Sequence, residues 1–235
     1  NPDKGNGPAV SFTGLPGDVV VGGKAVEITV NVKNTTGKKL EFIPFVSLGN
    51  VATDTPLRAS HIVLEAKLPG SDAWTKVEMI DTETDEAGAT AAIGWLAAQD
   101  PEDPEAIIPL VLEKDEGLQI PVRLAFTANA PLGETIAFLA GVGSSNQESP
   151  DYFSASDFYV LNLVAPGTKG PANPDVRPVP PVKLPAKPKP SQNLAETGGS
   201  DSSAVTYAIV GGVALVGGAG LLVVMKRRRS GATPA

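Results

Sequence analysis

The sequence predicts an all-β head over residues 1–165, followed by a proline-rich linker and one membrane-spanning helix. Three observations predict this organisation: alternating apolar and polar residues in the head, nine prolines within residues 166–193, and no charge within residues 204–225. Alternation with period 2 is typical of strands with one buried face, whereas proline removes backbone donors. A run of 22 uncharged residues is long enough to cross a bilayer as a helix.

Two stretches of the head show the strand pattern most clearly. Four apolar residues of the first alternate with polar ones: Val26, Ile28, Val30 and Val32. The second alternates in the same way, with Leu118, Ile120, Val122, Leu124 and Phe126 on one face. Shorter patterns predict strands at residues 40–48, 62–68, 77–79, 107–112, 135–142 and 158–164.

Residues that interrupt regular structure refine the predicted strand positions. Pro121 lacks an amide donor, so the strand that contains it is expected at a sheet edge or with a bulge there. Turns are predicted at residues 34–37, 69–72 and 131–133, where Gly, Pro, Asn and Asp cluster. The alanine-rich stretch Thr90–Gln99 favours a short helix.

Eight or nine short strands over this length are typical of an antiparallel two-sheet sandwich of immunoglobulin-like type. The cysteine pair that marks many such domains is absent, because the chain contains no cysteine. The predicted likeness is therefore one of architecture alone.

Composition excludes several function classes. Residues 1–165 carry 23 Asp and Glu against 10 Lys and Arg, and this charge of −13 disfavours nucleic-acid binding because phosphates are repelled. Without cysteine there is no thiolate nucleophile or thiolate metal site. The single histidine, His61, leaves little room for a zinc site or a Ser-His-Asp triad, and alternation places it on the polar side of its strand. We therefore expect no enzyme, cofactor or metal site.

The linker and the tail have a clear order. Residues 166–193 are expected to stay disordered and extended as polyproline II, a spacer of roughly 90 Å at about 3.1 Å per residue. The predicted span, residues 204–225, is followed at once by the basic cluster Lys226, Arg227, Arg228 and Arg229. Such a cluster stays on the cytoplasmic side, so the head is expected outside the cell and residues 230–235 inside.

Between linker and span lies the pentapeptide Leu194-Ala195-Glu196-Thr197-Gly198. With the proline-rich stretch before it and the span and arginines after it, this segment resembles the sorting signal of Gram-positive sortase substrates. Alanine at the second motif position resembles the LAXTG variant that class E sortases of high-GC actinobacteria use. The resemblance covers residues 194–229 and does not extend to the head.

The resemblance implies how a sortase would process the motif. The sortase cysteine would attack the carbonyl of Thr197 and release the chain from Gly198 onward, and a peptidoglycan amine would accept the acyl group. Leu194 would fill an apolar pocket, while Glu196 would point away from the enzyme. The partners implied are a sortase, peptidoglycan and, before processing, the membrane. The protein would be extracellular, in the cell wall, with a precursor whose C-terminus is cytoplasmic.

Alternatives remain open at this point. The motif is coincidental if the chain is an ordinary single-pass membrane protein. The head, expected to be a structural, adhesive or other binding module, is alternatively a wall-tethered carbohydrate-binding module or enzyme. An exposed pair of tryptophans, Trp74 and Trp95, would stack sugar rings, although packing in the core or at its rim is the favoured explanation for both.

Two further sites are weaker alternatives. Acidic runs at residues 81–86 and 100–105 would offer oxygen ligands to calcium, although solvated loops explain them too. An isopeptide bond between Lys24 and Asn162 would require both residues to be buried side by side.

The serines near residues 144–145 and 154–156 have no base partner in the sequence.

Overall fold

The computed structural model describes residues 5–50, 55–82, 91–99, 102, 107–145 and 151–168, together with the backbone of residues 175–177. Within this part of the chain the regular structure is all-β, apart from one short 3-10 turn at Ala59–His61. The first eight strands are β1 Ala9–Thr13, β2 Asp18–Val20, β3 Val26–Lys33, β4 Leu40–Asn50, β5 Ile62–Ala66, β6 Thr75–Val77, β7 Met79–Thr82 and β8 Ala91–Trp95. The others are β9 Ala98–Gln99, β10 Ile107–Ile108, β11 Leu110–Leu112, β12 Gly117–Phe126, β13 Gly133–Ser144, β14 Tyr152–Ala155, β15 Phe158–Val164 and β16 Asp175–Arg177.

The smaller of the two main sheets has five antiparallel strands in the order β1-β3-β12-β5-β6. Along β3 and β12, buried and more exposed residues alternate, as their sequences predict. One face of this sheet therefore lies against the core and the other faces solvent.

The larger sheet has nine strands and contains one parallel pair. Its main path runs β16-β15-β13-β4-β8-β7, while β11 pairs with β4, β14 with β13 and β2 with β15. Strand β2 is parallel to β15, and the other pairs in the sheet are antiparallel. Strands β9 and β10 form a separate two-stranded pair.

The two main sheets enclose one hydrophobic core. Val30 and Leu124 from the smaller sheet meet Phe42, Leu48 and Leu139 from the larger sheet in a single buried cluster. Each of these side chains is at most 1 % exposed. Full burial of an apolar side chain of this size contributes about 1.5–3 kcal/mol, so this cluster is the main source of stability in the fold.

The larger sheet is apolar on its second face as well. Phe45, Ile93, Phe138 and Phe158 lie there in a second buried cluster, with Trp95 packed against it. The rings of Phe138 and Phe158 meet edge to face at 5.5 Å. Strands β4 and β13 are consequently buried at nearly every position, which matches their long apolar runs.

The helix predicted at Thr90–Gln99 is wrong. Residues Ala91–Trp95 form strand β8, which pairs with β4 on one side and β7 on the other. Alanine favours helices only weakly, and burial between two partner strands outweighs this preference.

The edge position predicted for the strand containing Pro121 is also wrong, because β12 lies in the centre of its sheet. The ladder with β5 ends at Val122, one residue away, and the carbonyl of Pro121 still accepts from Lys67 N at 2.9 Å. The missing donor therefore costs a single ladder hydrogen bond at the point where the neighbouring strand ends.

Residues predicted to lie in the linker join the larger sheet. Asp175–Arg177 forms β16, antiparallel to residues 158–160 of β15, so the prediction that prolines keep the whole linker out of a sheet is wrong at these three residues. Residues 169–174 and 178–193 lie outside the described part of the chain.

The predicted span at residues 204–225 also lies outside the described part. Within the residues that are described, no helix has the length and apolar character needed to cross a membrane.

Candidate ligand-binding surface

The sorting motif Leu194–Gly198 and the basic cluster Lys226–Arg229 lie outside the described residues. A candidate site in the described part must therefore come from the head. The strongest one is the solvent side of the five-stranded sheet, which we call the polar face. Its polar and aromatic residues are Thr13, Glu27, Asn31, Lys33, Glu65, Lys67, Trp74, Lys76, Gln119 and Arg123, and the apolar Val63 and Pro121 are exposed on the same side.

Charged residues of alternating sign form a row across the polar face. The strand registers place Glu27 opposite Arg123, Arg123 opposite Glu65, and Glu65 opposite Lys76. Side chains directly opposite each other on neighbouring strands lie close enough to interact. The row therefore spans β3, β12, β5 and β6.

Arg123 makes both a salt bridge and a ring contact on the polar face. Its Nε and Nη2 both donate to Glu27 Oε1, at 3.0 and 2.7 Å. Its guanidinium also stacks over the indole of Trp74, 4.0 Å from the ring centroid. Salt bridge and stacking together fix the guanidinium in one place.

Trp74 lies just before β6 and is partly buried. Besides Arg123, the ammonium of Lys67 approaches its ring, 5.2 Å from the centroid. Both contacts are cation–π interactions, in which the cation is drawn to the electron-rich ring face. The indole is thus held at the β5–β6 side of the polar face.

A chain of amide hydrogen bonds lies toward the other side of the sheet. Gln119 Nε2 donates to Asn31 Oδ1 at 3.0 Å, and Asn31 Nδ2 donates to Thr13 Oγ1 at 2.8 Å. Gln119 Oε1 and the Thr13 hydroxyl proton keep capacity for further hydrogen bonds. This end of the polar face is suited to polar, uncharged ligand groups.

The polar face has the opposite charge to the rest of the head. It carries Lys33, Lys67, Lys76 and Arg123 against Glu27 and Glu65, a balance of +2 within a head of −13. A cationic surface with an aromatic side chain and amide groups can bind a ring-shaped ligand that carries negative charge.

The two tryptophans do not form a pair. Trp95 lies on the second face of the larger sheet, where its ring meets Phe45 edge to face at 5.0 Å. Trp95 therefore packs against a buried cluster of the larger sheet, and only Trp74 belongs to the polar face.

His61 ends the 3-10 turn before β5 and is partly buried. Its Nδ1 accepts a hydrogen bond from Arg58 N at 3.1 Å, and its carbonyl accepts from Thr127 N at 2.9 Å. These contacts give the residue a structural function in the turn, instead of the strand position that alternation predicts.

Two of the serines considered in the sequence, Ser145 and Ser156, make side-chain hydrogen bonds to their surroundings. Ser156 Oγ accepts from Leu139 N at 2.9 Å and donates to Asp157 O at 2.7 Å. Ser145 Oγ donates to Asp151 Oδ2 at 2.9 Å. The Asp151 carboxylate also accepts from Ser145 N at 3.1 Å, as in a contact that fixes the loop, and neither hydrogen bond joins the serine to a histidine.

The acidic runs lie mostly outside the described residues, which include only Asp81 and Glu102 of them. Asp81 Oδ1 accepts from Ala59 N at 2.6 Å, so this carboxylate anchors the 3-10 turn. Within the described part of the chain, no three His, Cys, Asp or Glu residues lie together in a way that would hold a metal ion.

The proposed isopeptide pair is not formed. Lys24 is exposed, whereas the side-chain amide of Asn162 donates to Asp18 Oδ1 at 3.3 Å. An isopeptide bond requires a buried lysine beside the asparagine, and Lys24 does not meet this condition.

Sequence reasoning missed most of the polar face. Arg123 is far from Trp74 along the chain, and only the pairing of β12 with β5 and of β5 with β6 brings the two residues together. The sequence did contain one indication of this surface: the polar residues that alternate with the core residues of β3 and β12 must lie together on the solvent side of the sheet.

No protein-family model matches the chain, and no protein of curated function matches it in sequence. Among solved structures, the chain is similar to AvmM, which is described as catalysing macrocyclization in alchivemycin A biosynthesis. The TM-score is 0.53 at 16 % identity, and the match covers 70 % of this chain and 92 % of AvmM. A cohesin module from a Clostridium perfringens family 33 glycoside hydrolase matches with a TM-score of 0.37 and 12 % identity, over 68 % and 98 % of the two chains.

The sporulation control protein Spo0M of Bacillus subtilis matches with a TM-score of 0.32 and 12 % identity, over 68 % of this chain and 50 % of that one. At these identities the likeness to AvmM concerns the fold alone. The other two likenesses are too distant to support an argument.

Proposed function

We propose that this chain is a surface protein of a Gram-positive, actinobacterial cell, attached covalently to peptidoglycan by a sortase through Thr197. The observation that carries the proposal is the order of four features: proline-rich stretch, Leu194–Gly198, uncharged span and Lys226–Arg229. Each feature is weak by itself, but this order is the one that anchoring requires.

The physical logic of anchoring explains that order. The span and the basic cluster hold the unprocessed chain at the outer surface of the membrane, which raises its effective concentration near a membrane-bound enzyme. The prolines favour an extended backbone, so that the motif reaches an enzyme groove. Attack of the sortase cysteine on the Thr197 carbonyl breaks the bond to Gly198, and a peptidoglycan amine then takes the acyl group.

We propose further that the head is an immunoglobulin-like sandwich that acts as a structural or binding module outside the cell. Support comes from two largely antiparallel sheets around one core and from a solvent-facing sheet surface rich in polar groups. In this proposal strand β16 fastens the beginning of the linker to the head, so the extended spacer begins after Arg177.

Fractionation of an actinobacterial host that expresses a class E sortase tests the anchoring. The full chain should resist hot detergent and be released from the wall by muramidase. Thr197→Ala should leave the chain in the membrane fraction, because the acyl-donor position is changed. Glu196→Ala is the matched control and should remain wall-bound.

Two results would contradict the proposal. The first is release of the native chain by detergent without muramidase, as expected for an ordinary single-pass protein. The second is wall attachment of the Thr197→Ala chain that equals that of the native chain.

A further inference from the structure

We propose that the polar face binds an acidic oligosaccharide, with a sugar ring on Trp74 and sugar carboxylates at Lys67 and Lys76. This inference rests on the proposed display function only for the ligand's location, since the face must be outside the cell to meet a glycan. The binding chemistry itself resides in the described head.

The aromatic contact comes from Trp74. Sugar rings present C–H groups on one side, and these pack on the face of an aromatic side chain with the same electrostatic preference as cations. Arg123 and Lys67 orient the indole from 4.0 and 5.2 Å of its centroid, and the sugar ring packs on the part of the indole that these two cations leave uncovered. A pre-oriented ring loses little conformational entropy on binding.

The charge contact comes from two lysines that flank the indole. Lys76 follows Trp74 by two residues, a distance of about 7 Å along an extended chain, and Lys67 lies within 5.2 Å of the ring. Lys76 is exposed. A carboxylate on a ring stacked on Trp74, or on the next ring, therefore comes within reach of one of these ammonium groups.

The length of the surface favours an oligosaccharide over a single sugar. Gln119 lies two strands from Trp74, or about 10 Å across the sheet, and its hydrogen-bonded chain continues through Asn31 to Thr13. Amide and hydroxyl groups at that distance suit the hydroxyls of a neighbouring sugar residue.

Charge complementarity decides between neutral and acidic ligands. A head with a charge of −13 repels polyanions in general. An acidic oligosaccharide is therefore expected to bind at the polar face, which is net positive. The same arrangement disfavours binding of acidic polymers elsewhere on the head. The polar face thus provides both affinity and orientation.

The test uses the full chain, purified in detergent micelles, and oligomers of galacturonic acid as the probe. The methyl ester of the same oligomer keeps the sugar backbone without charge, and polyacrylate keeps the charge without a sugar ring. Titration calorimetry should show binding of the acid oligomer and at least about tenfold weaker binding of both controls.

Variants locate the site. Lys67→Gln with Lys76→Gln should weaken binding about tenfold or more, whereas Lys38→Gln with Lys114→Gln removes the same charge from exposed, distant positions and should change it less than about twofold. Trp74→Leu should weaken binding about tenfold while its circular dichroism stays native, which separates loss of stacking from loss of fold.

Four results would overturn the inference: no binding of the acid oligomer by the native chain, equal binding of polyacrylate, equal losses in the two lysine pairs, or an unchanged affinity in Trp74→Leu. Equal polyacrylate binding would indicate a site for acidic polymers without sugar recognition. An unchanged affinity in Trp74→Leu would mean that the indole merely covers Arg123. None of these results depends on Thr197, so failure here leaves the anchoring proposal to its own test.

Discussion

The two main sheets enclose the same core but differ on their outer sides. The five-stranded sheet turns a hydrogen-bonded, charged face to solvent, with the Glu27–Arg123 salt bridge as its most fixed contact. The nine-stranded sheet is apolar on both sides, and its second face holds Phe45, Phe138 and Phe158 at most 2 % exposed. One sheet thus provides a surface, whereas the other is an inner layer.

This difference shows where recognition and where stability reside. A side chain on the polar face gains little from the core and is available to a ligand. A side chain on the second face of the larger sheet is surrounded by packing contacts, and its loss leaves a cavity. Equivalent positions in the two sheets should therefore respond very differently to substitution.

The largest contrast is expected between Phe138→Ala and Gln119→Ala. Phe138 is 2 % exposed and packs on Phe158, so its truncation should lower the free energy of unfolding by about 3–5 kcal/mol. Gln119 is exposed, and its truncation should change stability by at most about 0.5 kcal/mol. Urea denaturation of both variants measures the contrast, and similar losses would refute the inner-layer description.

The next effect concerns Asn34, which joins the turn between the two sheets to the turn before β12. Asn34 is fully buried; its Nδ2 donates to the carbonyls of Lys38 and Glu113 at 2.7 and 2.8 Å, and its Oδ1 accepts from Thr36 N at 3.1 Å. Asn34→Ala leaves these groups without partners and should cost about 2–3 kcal/mol. Thr35→Ala, at the exposed neighbour, is the control for urea denaturation and should cost about 0.5 kcal/mol or less.

A smaller loss is expected from Gly141→Ala on the core side of the larger sheet. A Cβ there would lie 2.2 Å from Phe42 Cζ, whereas the nearest atom to a Cβ on Gly117 of the smaller sheet is 3.5 Å away. Gly141→Ala should therefore destabilise by about 1–3 kcal/mol and Gly117→Ala should not. Thermal unfolding of both variants checks this, and adding Phe42→Leu to Gly141→Ala should recover part of the loss.

The smallest effect is expected at Lys39, whose Nζ donates to Glu113 Oε1 at 2.5 Å. This hydrogen bond, together with the charge of Glu113, raises the pKa of Lys39 above its ordinary value of 10.5. Any stabilisation by this pair is therefore complete below about pH 10.5 and is lost as the pH rises through the raised pKa. Because the lysine is exposed, Lys39→Met should shift the urea midpoint much less than Asn34→Ala does; equal shifts in the two variants would contradict this.

The longest strands can be predicted from the sequence, for reasons that the two sheets make clear, whereas the short strands β1, β2, β9, β14 and β16 were not predicted. Alternation predicts β3 and β12 because one side of their sheet faces solvent. Apolar runs predict β4 and β13 because both sides of their sheet are buried. Strand β8 was missed because its alanines and glycine carry no alternation. The central position of β12 was missed because the end of β5, which makes Pro121 tolerable, is a property of the partner strand.

The two candidate sites also differ in how far the sequence predicts them. The sorting motif can be predicted because all of its features are contiguous in the sequence. The polar face cannot, because it depends on the registers of four strands that bring Glu27, Arg123, Glu65 and Lys76 into one row. The alternative of an exposed Trp74–Trp95 pair is wrong, because Trp95 packs against the buried second face of the larger sheet.

Mass spectrometry of the protein released from the wall by muramidase tests the central claim, covalent anchoring through Thr197, most directly. The proposal predicts a C-terminal peptide that ends at Thr197 and carries a peptidoglycan stem-peptide adduct. A mature protein that instead retains residues 198–235, with Lys226–Arg229 intact, would contradict it.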